Sequence, residues 1–590
     1  MKSLSYLNKY FIKYKWRLLL GILFIVGSNL FYVYMPKIVG QAVDQFKIGF
    51  EPDNWLSIAL SLGGVYILMS IGKGILLFLT RQTVIVVSRL IEYDLKNEIY
   101  QHYQRLTYNF YKKNNTGDLM NRISEDVSHV RMYLGPGVMY TINLTVLFIL
   151  TFTSMVGINL ELTLYTLAPL PIMSFMVYKV SSRMNRQSTD VQRQQSKIST
   201  FVQETFSGVS VLKAYGGESK FKKDFNQSAD DYLDKHMALV KTNALFMPTI
   251  TFLIGISTIV TIYLGGVMAI DPSSGISTGN IITFVFYVNM LTWPFASVGW
   301  VTSLIQRASA SQKRINEFLE EEPEVKSTVN APFDFKGEVV FDHVYYTFPS
   351  SGIEAIKDLS FTIKKGETLA ILGRTGSGKS TAINLLMRQF DPIRGEIRID
   401  GVPLPKININ DFRKQSGVVP QEVFLFSDSI RNNVKFGLLD EDKVSDEEII
   451  ETLKTTHVWH NIKSFKTGLD TVLGERGVNL SGGQKQRLSI ARAIIRKPKL
   501  LILDDCLSAV DTETEEIILN NLKEQIQQNT TLIVSHRVSS IRNADRILVL
   551  DHGSLIEEGT HQELLAAEGV YALMYAKQLL EDQNKEGNAE

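Results

Sequence analysis

Cysteine is nearly missing: the chain of 590 residues holds 1, Cys506. A lone thiol excludes an internal disulfide and a cysteine zinc cluster, and it leaves redox chemistry without a basis. Excess charge is missing too. With 62 basic against 61 acidic side chains, nothing draws in a polyanion, so no nucleic-acid partner is expected. What the chain does have is length beyond one hydrophobic core and 45% hydrophobic residues, concentrated in the first half.

A membrane helix needs roughly 20 apolar residues to cross a hydrocarbon layer about 30 Å thick. Six stretches meet that need, near 16–35, 56–79, 133–157, 160–180, 245–270 and 281–305, with a tight turn at Ile158 and Asn159 between the third and fourth. The head MKSLSYLNKYFIKYKWR has the basic start of a signal peptide. The apolar segment after it is long and has no small-x-small cleavage site, so it reads as the first span. Lys and Arg crowd this head and the connections after spans two and four, as in RLIEYDLKNEIYQHYQRL and KVSSRMNRQSTDVQRQQSK. The opposite loops carry almost none. This bias puts the N-terminus and everything after span six in the cytoplasm, as in a multi-pass protein of the inner (cytoplasmic) membrane. Both inner connections keep apolar residues at helical spacing, so the spans are expected to continue as long cytosolic helices.

After EEPEVKSTVNAPFDFKGEVV the pattern changes to short strands alternating with helices, which predicts an α/β domain. The expected division is a helical transmembrane domain over 1–324, an α/β domain over 325–580 and a polar tail over 581–590. The second domain opens its chemistry with LAILGRTGSGKST. An apolar strand reaches Gly373, a loop of Arg374, Thr375, Gly376, Ser377 and Gly378 follows, and Lys379, Ser380 and Thr381 begin a helix. This is the strand, loop and helix context of a phosphate-binding P-loop. The glycines let backbone N–H groups turn onto phosphate oxygens, and the helix N-terminus adds a favourable dipole. Lys379 supplies charge for the β and γ phosphates and Ser380 a hydroxyl for magnesium. Farther on, LLILDD ends a buried strand in Asp504, placed to hold magnesium through water, and Asp505. The expected cofactors are ATP and Mg2+.

Between the two elements stands LSGGQ: Leu480, Ser481, Gly482, Gly483 and Gln484. It resembles the signature of ATP-binding-cassette (ABC) ATPases, and other elements of that set surround it in order. Phe348 in YYTFP resembles the aromatic that stacks on adenine. Gln421 in VVPQEVFLF resembles the loop glutamine that senses magnesium, Ser508 to Asp511 the interface loop, and His536 in IVSHR the switch histidine at the γ-phosphate. Six spans ahead of one cassette resemble half-transporter exporters, which work as dimers. The resemblance implies a six-span helical domain fused to a P-loop nucleotide-binding domain with a helical signature subdomain. It also implies ATP hydrolysis coupled to transport, and a second half-transporter whose signature closes over this chain's ATP. The tips of the inner loops, around Gly117 and Gly208 to Gly217, are then candidates for coupling contacts.

At the position of Asp505 the family places a glutamate that orients the attacking water. Aspartate withdraws the carboxylate by about one C–C bond, and a misplacement of about 1 Å can cost about 100-fold in rate. The expectation is a site that binds ATP well and hydrolyses it poorly. The pattern resembles the degenerate-site chain of bacterial heterodimeric multidrug-type exporters, whose intact signature serves the partner's site. A slow homodimer and an ATP-gated channel or regulatory subunit are the alternatives. Spans rich in Phe, Tyr, Leu and Met suit a hydrophobic or amphipathic substrate, be it drug, lipid or peptide. At about 1.5 Å per residue, Lys73 falls near the inner edge of its span, where a lysine snorkels into the headgroups. Pro294 is a candidate kink in span six.

Overall fold

The computed structural model describes residues 2–47, 55–271, 274–326, 329–349, 351–438, 444–510 and 512–586. The chain forms two compact units: Met1–Gln104 with Thr116–Glu321, and Arg105–Asn115 with Glu322–Glu590. The short segment 105–115 of the first inner connection therefore belongs to the second unit.

The first unit is helical. Among the described residues, 5 helical stretches are long and apolar enough to cross a membrane: Lys15–Phe46, Leu56–Arg105, Thr116–Val156, Glu218–Ile270 and Thr278–Leu319. The fourth expected span, 160–180, is not one continuous helix. It divides into Leu160–Leu167 and Pro169–Ser207, because Pro169 and Pro171 lack the N–H groups that would continue the ladder. Asn159 starts the first piece by accepting from the Leu162 N–H. Pro294 lies inside the continuous helix Thr278–Leu319, and the Ser297 hydroxyl donates to its carbonyl at 3.1 Å. Several polar groups within the apolar helices find partners inside the unit. Asn29 Nδ2 donates to Asn143 Oδ1 at 2.9 Å, and the Ser257 hydroxyl donates to the Thr166 carbonyl at 2.6 Å. Such pairing is needed where no water is at hand. The Lys73 ammonium lies 3.4 Å from the centroid of the Tyr32 ring, which gives the charge a partner without a carboxylate.

The second unit is built on two sheets. Strands β1 (Val339–Thr347), β2 (Glu354–Ile363), β4 (Arg394–Ile399) and β5 (Val402–Pro403) form an antiparallel sheet in the order β2-β1-β4-β5. Strands β3 (Thr368–Gly373), β6 (Ser416–Val419), β7 (Leu500–Asp504), β8 (Thr530–Ser535), β9 (Arg546–Asp551) and β10 (Ser554–Gly559) form the other, in the order β10-β9-β3-β8-β7-β6. All neighbours in it are parallel except β10 and β9. Both faces of its centre are covered. Leu369, Ile371, Leu500 and Ile502 point into one core and Ala370, Leu372, Leu501 and Leu503 into another, which explains why β3 and β7 read as unbroken apolar runs. A third core, with Leu425, Ile430, Ile449, Leu453 and Leu488, joins helices Ile430–Lys435, Asp446–Thr455 and Gly482–Ile494. The final helix, Val570–Glu586, runs into the stretch expected as a polar tail.

Candidate active site

The carboxyl ends of parallel strands place the site. β3 delivers the loop Gly373–Gly378, and the helix Lys379–Leu386 starts at once behind it. Gly378 has φ +99°, and a Cβ there would lie 2.5 Å from the Ala355 carbonyl oxygen, so only glycine fits. A Cβ on Gly373 would lie 2.4 Å from the Leu550 carbonyl oxygen. Arg374, Thr375 and Gly376 are exposed, whereas Ser377 and Thr381 are buried. The Lys379 ammonium folds back on its own loop, donating to the Gly373 carbonyl at 2.7 Å and to the Arg374 carbonyl at 2.8 Å. Burial holds its pKa below the usual lysine range, with Asp505 and Asp504 pulling the other way.

β7 runs parallel to β8 in a register that sets Asp504 beside Val534, so the acids after β7 and the histidine after β8 emerge side by side. Asp504 is buried, and burial pushes its pKa up against the pull of the Ser380 hydroxyl. Its Oδ1 is buried with no hydrogen-bond partner among the described residues. A carboxylate that has one orphaned oxygen and lies beside the Ser380 hydroxyl of the P-loop helix suits a magnesium ion held jointly with phosphate and water. Among the described residues no cluster of three or more His, Cys, Asp or Glu would hold a metal alone.

Asp505 adopts φ +47°, a left-handed conformation that Asp tolerates better than most side chains. His536 Nδ1 lies 2.8 Å from Asp505 Oδ1 and 3.0 Å from Oδ2, and Gln421 Nε2 donates to Oδ2 at 3.4 Å. Three residues from distant parts of the sequence thus converge on one point. The structure also brings Lys379, Ser380 and Asp504 to this end of the sheet. Cys506, next in the chain, is fully buried with its pKa pushed up by burial, an inert thiol.

Phe348, just past β1, packs edge-on against Tyr346 and Phe390 at 5.2 and 6.0 Å between ring centroids. The Lys112 ammonium lies 5.4 Å from its centroid. Lys112 sits on the short helix Tyr108–Lys113, which is tied down where Asn109 Nδ2 and Lys113 Nζ donate to the Glu324 carboxylate at 2.7 and 3.0 Å. Residues 108–113 of the first loop are thus held within the second unit, a few residues before Gly117. The second loop tip carries the helix Val209–Ala214, which buries none of its residues, and Tyr215 beside it is 86% exposed.

Signature residues Leu480 to Gln484 make no described hydrogen bond to the P-loop. They open the helix Gly482–Ile494 through a reciprocal cap: the Ser481 hydroxyl accepts from the Gln484 N–H and the Gln484 side chain accepts from the Ser481 N–H. The Gly482 and Gly483 amides have no hydrogen-bond partner among the described residues. Two connections escape a reading of the motifs alone. Gln486 Nε2 donates to the Ser508 hydroxyl at 3.3 Å and its Oε1 accepts from the Ala509 N–H at 3.0 Å, joining the signature helix to the loop after Asp505. Arg492 donates to the carbonyls of Phe424 and Asn433, each at 2.8 Å, joining the same helix to the loop of Gln421. Asp511 lies outside the described residues.

A family model for the ABC transporter transmembrane region matches residues 18–295, and one for the ABC transporter domain matches 356–508. A probable multidrug resistance ABC transporter ATP-binding/permease protein of Bacillus subtilis, YheI, is 35% identical over 581 residues, 98% of each chain. The chain belongs to the ABC transporter family. The multidrug resistance-like ATP-binding protein MdlA of Escherichia coli is 33% identical, over 98% of this chain and 97% of its own. The structure of a bacterial Atm1-family ABC exporter with ATP bound is similar with a TM-score of 0.77 and 25% identity, covering 95% of this chain and 99% of that one. This ABC exporter is thus an ATPase coupled to transport, with its membrane and ATP-binding parts on one chain.

Proposed function

We propose that this ABC exporter chain is one half of a heterodimer that moves a hydrophobic or amphipathic compound out of the cell, its own ATP site being slow and its signature serving the partner's site. The observation that carries the reading is Asp505 in the convergent position beside His536 and Gln421, with the remaining phosphate-site residues in place. Phe348 and residues Gly373 to Thr381 bind ATP. Ser380, Gln421 and Asp504 would hold magnesium, and the ion would supply charge to screen the phosphates. Asp505 receives the attacking water's proton with poor reach, and His536 positions the γ-phosphate side. The free amides of Gly482 and Gly483 point to an anion from outside this chain, the γ-phosphate on the partner.

The membrane part makes six crossings of the inner membrane, the fourth made jointly by Leu160–Leu167 and Pro169–Ser207, with the cassette in the cytoplasm. Segments 108–113 and 209–214 carry motion between ATP sites and spans. The two relatives with multidrug resistance in their names support a drug-like or amphipathic substrate.

Purified alone in nanodiscs with Mg2+ and ATP, the chain is expected to bind nucleotide, turn over slowly and gain activity when a glutamate-bearing partner chain is coexpressed. Equal turnover with and without a partner removes the heterodimer. Asp505→Glu is expected to raise hydrolysis at this chain's own site by roughly tenfold or more, since restored reach outweighs the added strain at φ +47°. Single-turnover hydrolysis in the assembled pair checks this, and no gain means that carboxylate reach is not the defect.

A further inference from the structure

Within the first unit, a cavity of about 360 Å³ opens between residues 177–185 and 298–306, the size of a small-ligand pocket. Its polar lining is the Tyr178 phenol and six shorter side chains, Ser181, Ser182, Asn185, Thr302, Ser303 and Gln306, and no lining residue is charged. Thr302 returns its hydroxyl to the Val298 carbonyl at 2.9 Å. The other five side chains make no hydrogen bond among the described residues. Val177 and Val298 supply an apolar wall, and Gly299 lets Ser181 approach, since a Cβ there would lie 3.1 Å from the Ser181 hydroxyl. The cavity sits at the expected inner ends of spans four and six, where Ser181 and Ser303 are half-buried and Ser182, Asn185 and Gln306 exposed, so their uncommitted hydrogen-bonding groups are open to a ligand. It also shares Thr302 and Gln306 with a wider groove of about 990 Å³, lined farther along the same helix by Lys313, Asn316 and Glu317. That groove is a route in from the helix extension.

We infer that this pocket captures the uncharged head of an amphiphile, one bearing several hydroxyl or amide groups, with its apolar body lying along Val177 and Val298. The choice of head follows from charge. A cation would lose water without a carboxylate in the lining. An anion would lose water without a counter-charge in the lining. Neutral donors and acceptors match five unpaired neutral side chains at no such cost.

The inference rests on the export reading and names the class of its substrate. The test uses the assembled transporter in nanodiscs without nucleotide, and a diazirine-bearing N-decyl gluconamide as probe. Mass spectrometry is expected to find the label on peptides spanning 177–185 or 298–306. Unlabelled N-decyl gluconamide should compete, and decyltrimethylammonium or decyl phosphate at equal concentration should not. Ser303→Val with Gln306→Leu is expected to lower labelling about tenfold, while Ser303→Thr retains it. Label confined to other segments, or equal competition by the charged amphiphiles, overturns the inference, and those arms need no variant to fold. Since no ATP is hydrolysed, a negative result leaves the export reading standing. Labelling as expected without ATP-driven transport of the probe would strike the export reading instead.

Discussion

Gly482→Asp is expected to lower ATP turnover of the assembled transporter by roughly 100-fold or more, the scale seen when an anion-stabilising donor group is lost. The fold itself tolerates a side chain here. A Cβ on Gly482 would lie 3.6 Å from Ala509 Cβ, ordinary contact, whereas one on Gly483 would lie 3.0 Å from the Ala509 carbonyl oxygen. The damage from aspartate is therefore electrostatic and local, because a carboxylate stands where free N–H groups await an anion. Gly482→Ala separates bulk from charge and is expected to keep most of the turnover. A steady-state ATPase assay on both variants, with nucleotide binding as a folding control, checks the pair. Equal loss in both would assign the effect to volume.

Arg492→Ala is expected to destabilise the ATP-binding unit by about 3 kcal/mol or more. Its guanidinium holds the Phe424 and Asn433 carbonyls and Asn433 Oδ1. It also lies 5.8 Å from the Phe426 ring and 5.6 Å from the Phe436 ring. Burial pulls its pKa down to about 10, still well above neutrality, so the group stays charged. Truncation strands the Phe424 and Asn433 carbonyls, leaves Asn433 Oδ1 with only the Phe426 N–H, and opens a cavity between the signature helix and the loop of Gln421. Thermal unfolding of the full chain in detergent is expected to shift down by several degrees. Arg492→Lys should recover only part, because an ammonium cannot reproduce the planar fork. An unchanged melting temperature in Arg492→Ala would show that the cluster is not structural.

Much of the site was legible because each part is local. A strand, six loop residues and a helix start make the P-loop, and a cap with its two glycines makes the signature. The convergence of Gln421, Asp505 and His536 was legible only through the family resemblance, since it depends on β7 and β8 lying side by side. The bridges from Gln486 and Arg492 were not legible at all. They join residues 22 and 68 positions apart, Gln486 to Ser508 and Phe424 to Arg492, and periodicity cannot express such pairing. In the membrane part, apolar composition located the helices but not their breaks. Average hydropathy passes over Pro169 and Pro171, and the π turns at Arg81–Ile85, Arg122–Asp126 and Tyr133–Gly137 add one residue to a turn without a compositional mark.

We propose an asymmetric dimer, in which this chain's Lys379 serves a slow site while its Gly482 serves a fast one on the partner. The most direct measurement is ATPase activity of the reconstituted pair carrying, in this chain only, either Lys379→Ala or Gly482→Asp. Lys379→Ala removes a phosphate contact from a site that hydrolyses little, so a partial fall is expected, beside near-complete loss for Gly482→Asp. Equal, near-complete loss from both variants would contradict the asymmetric account and return Asp505 to the status of a variant in a symmetric dimer.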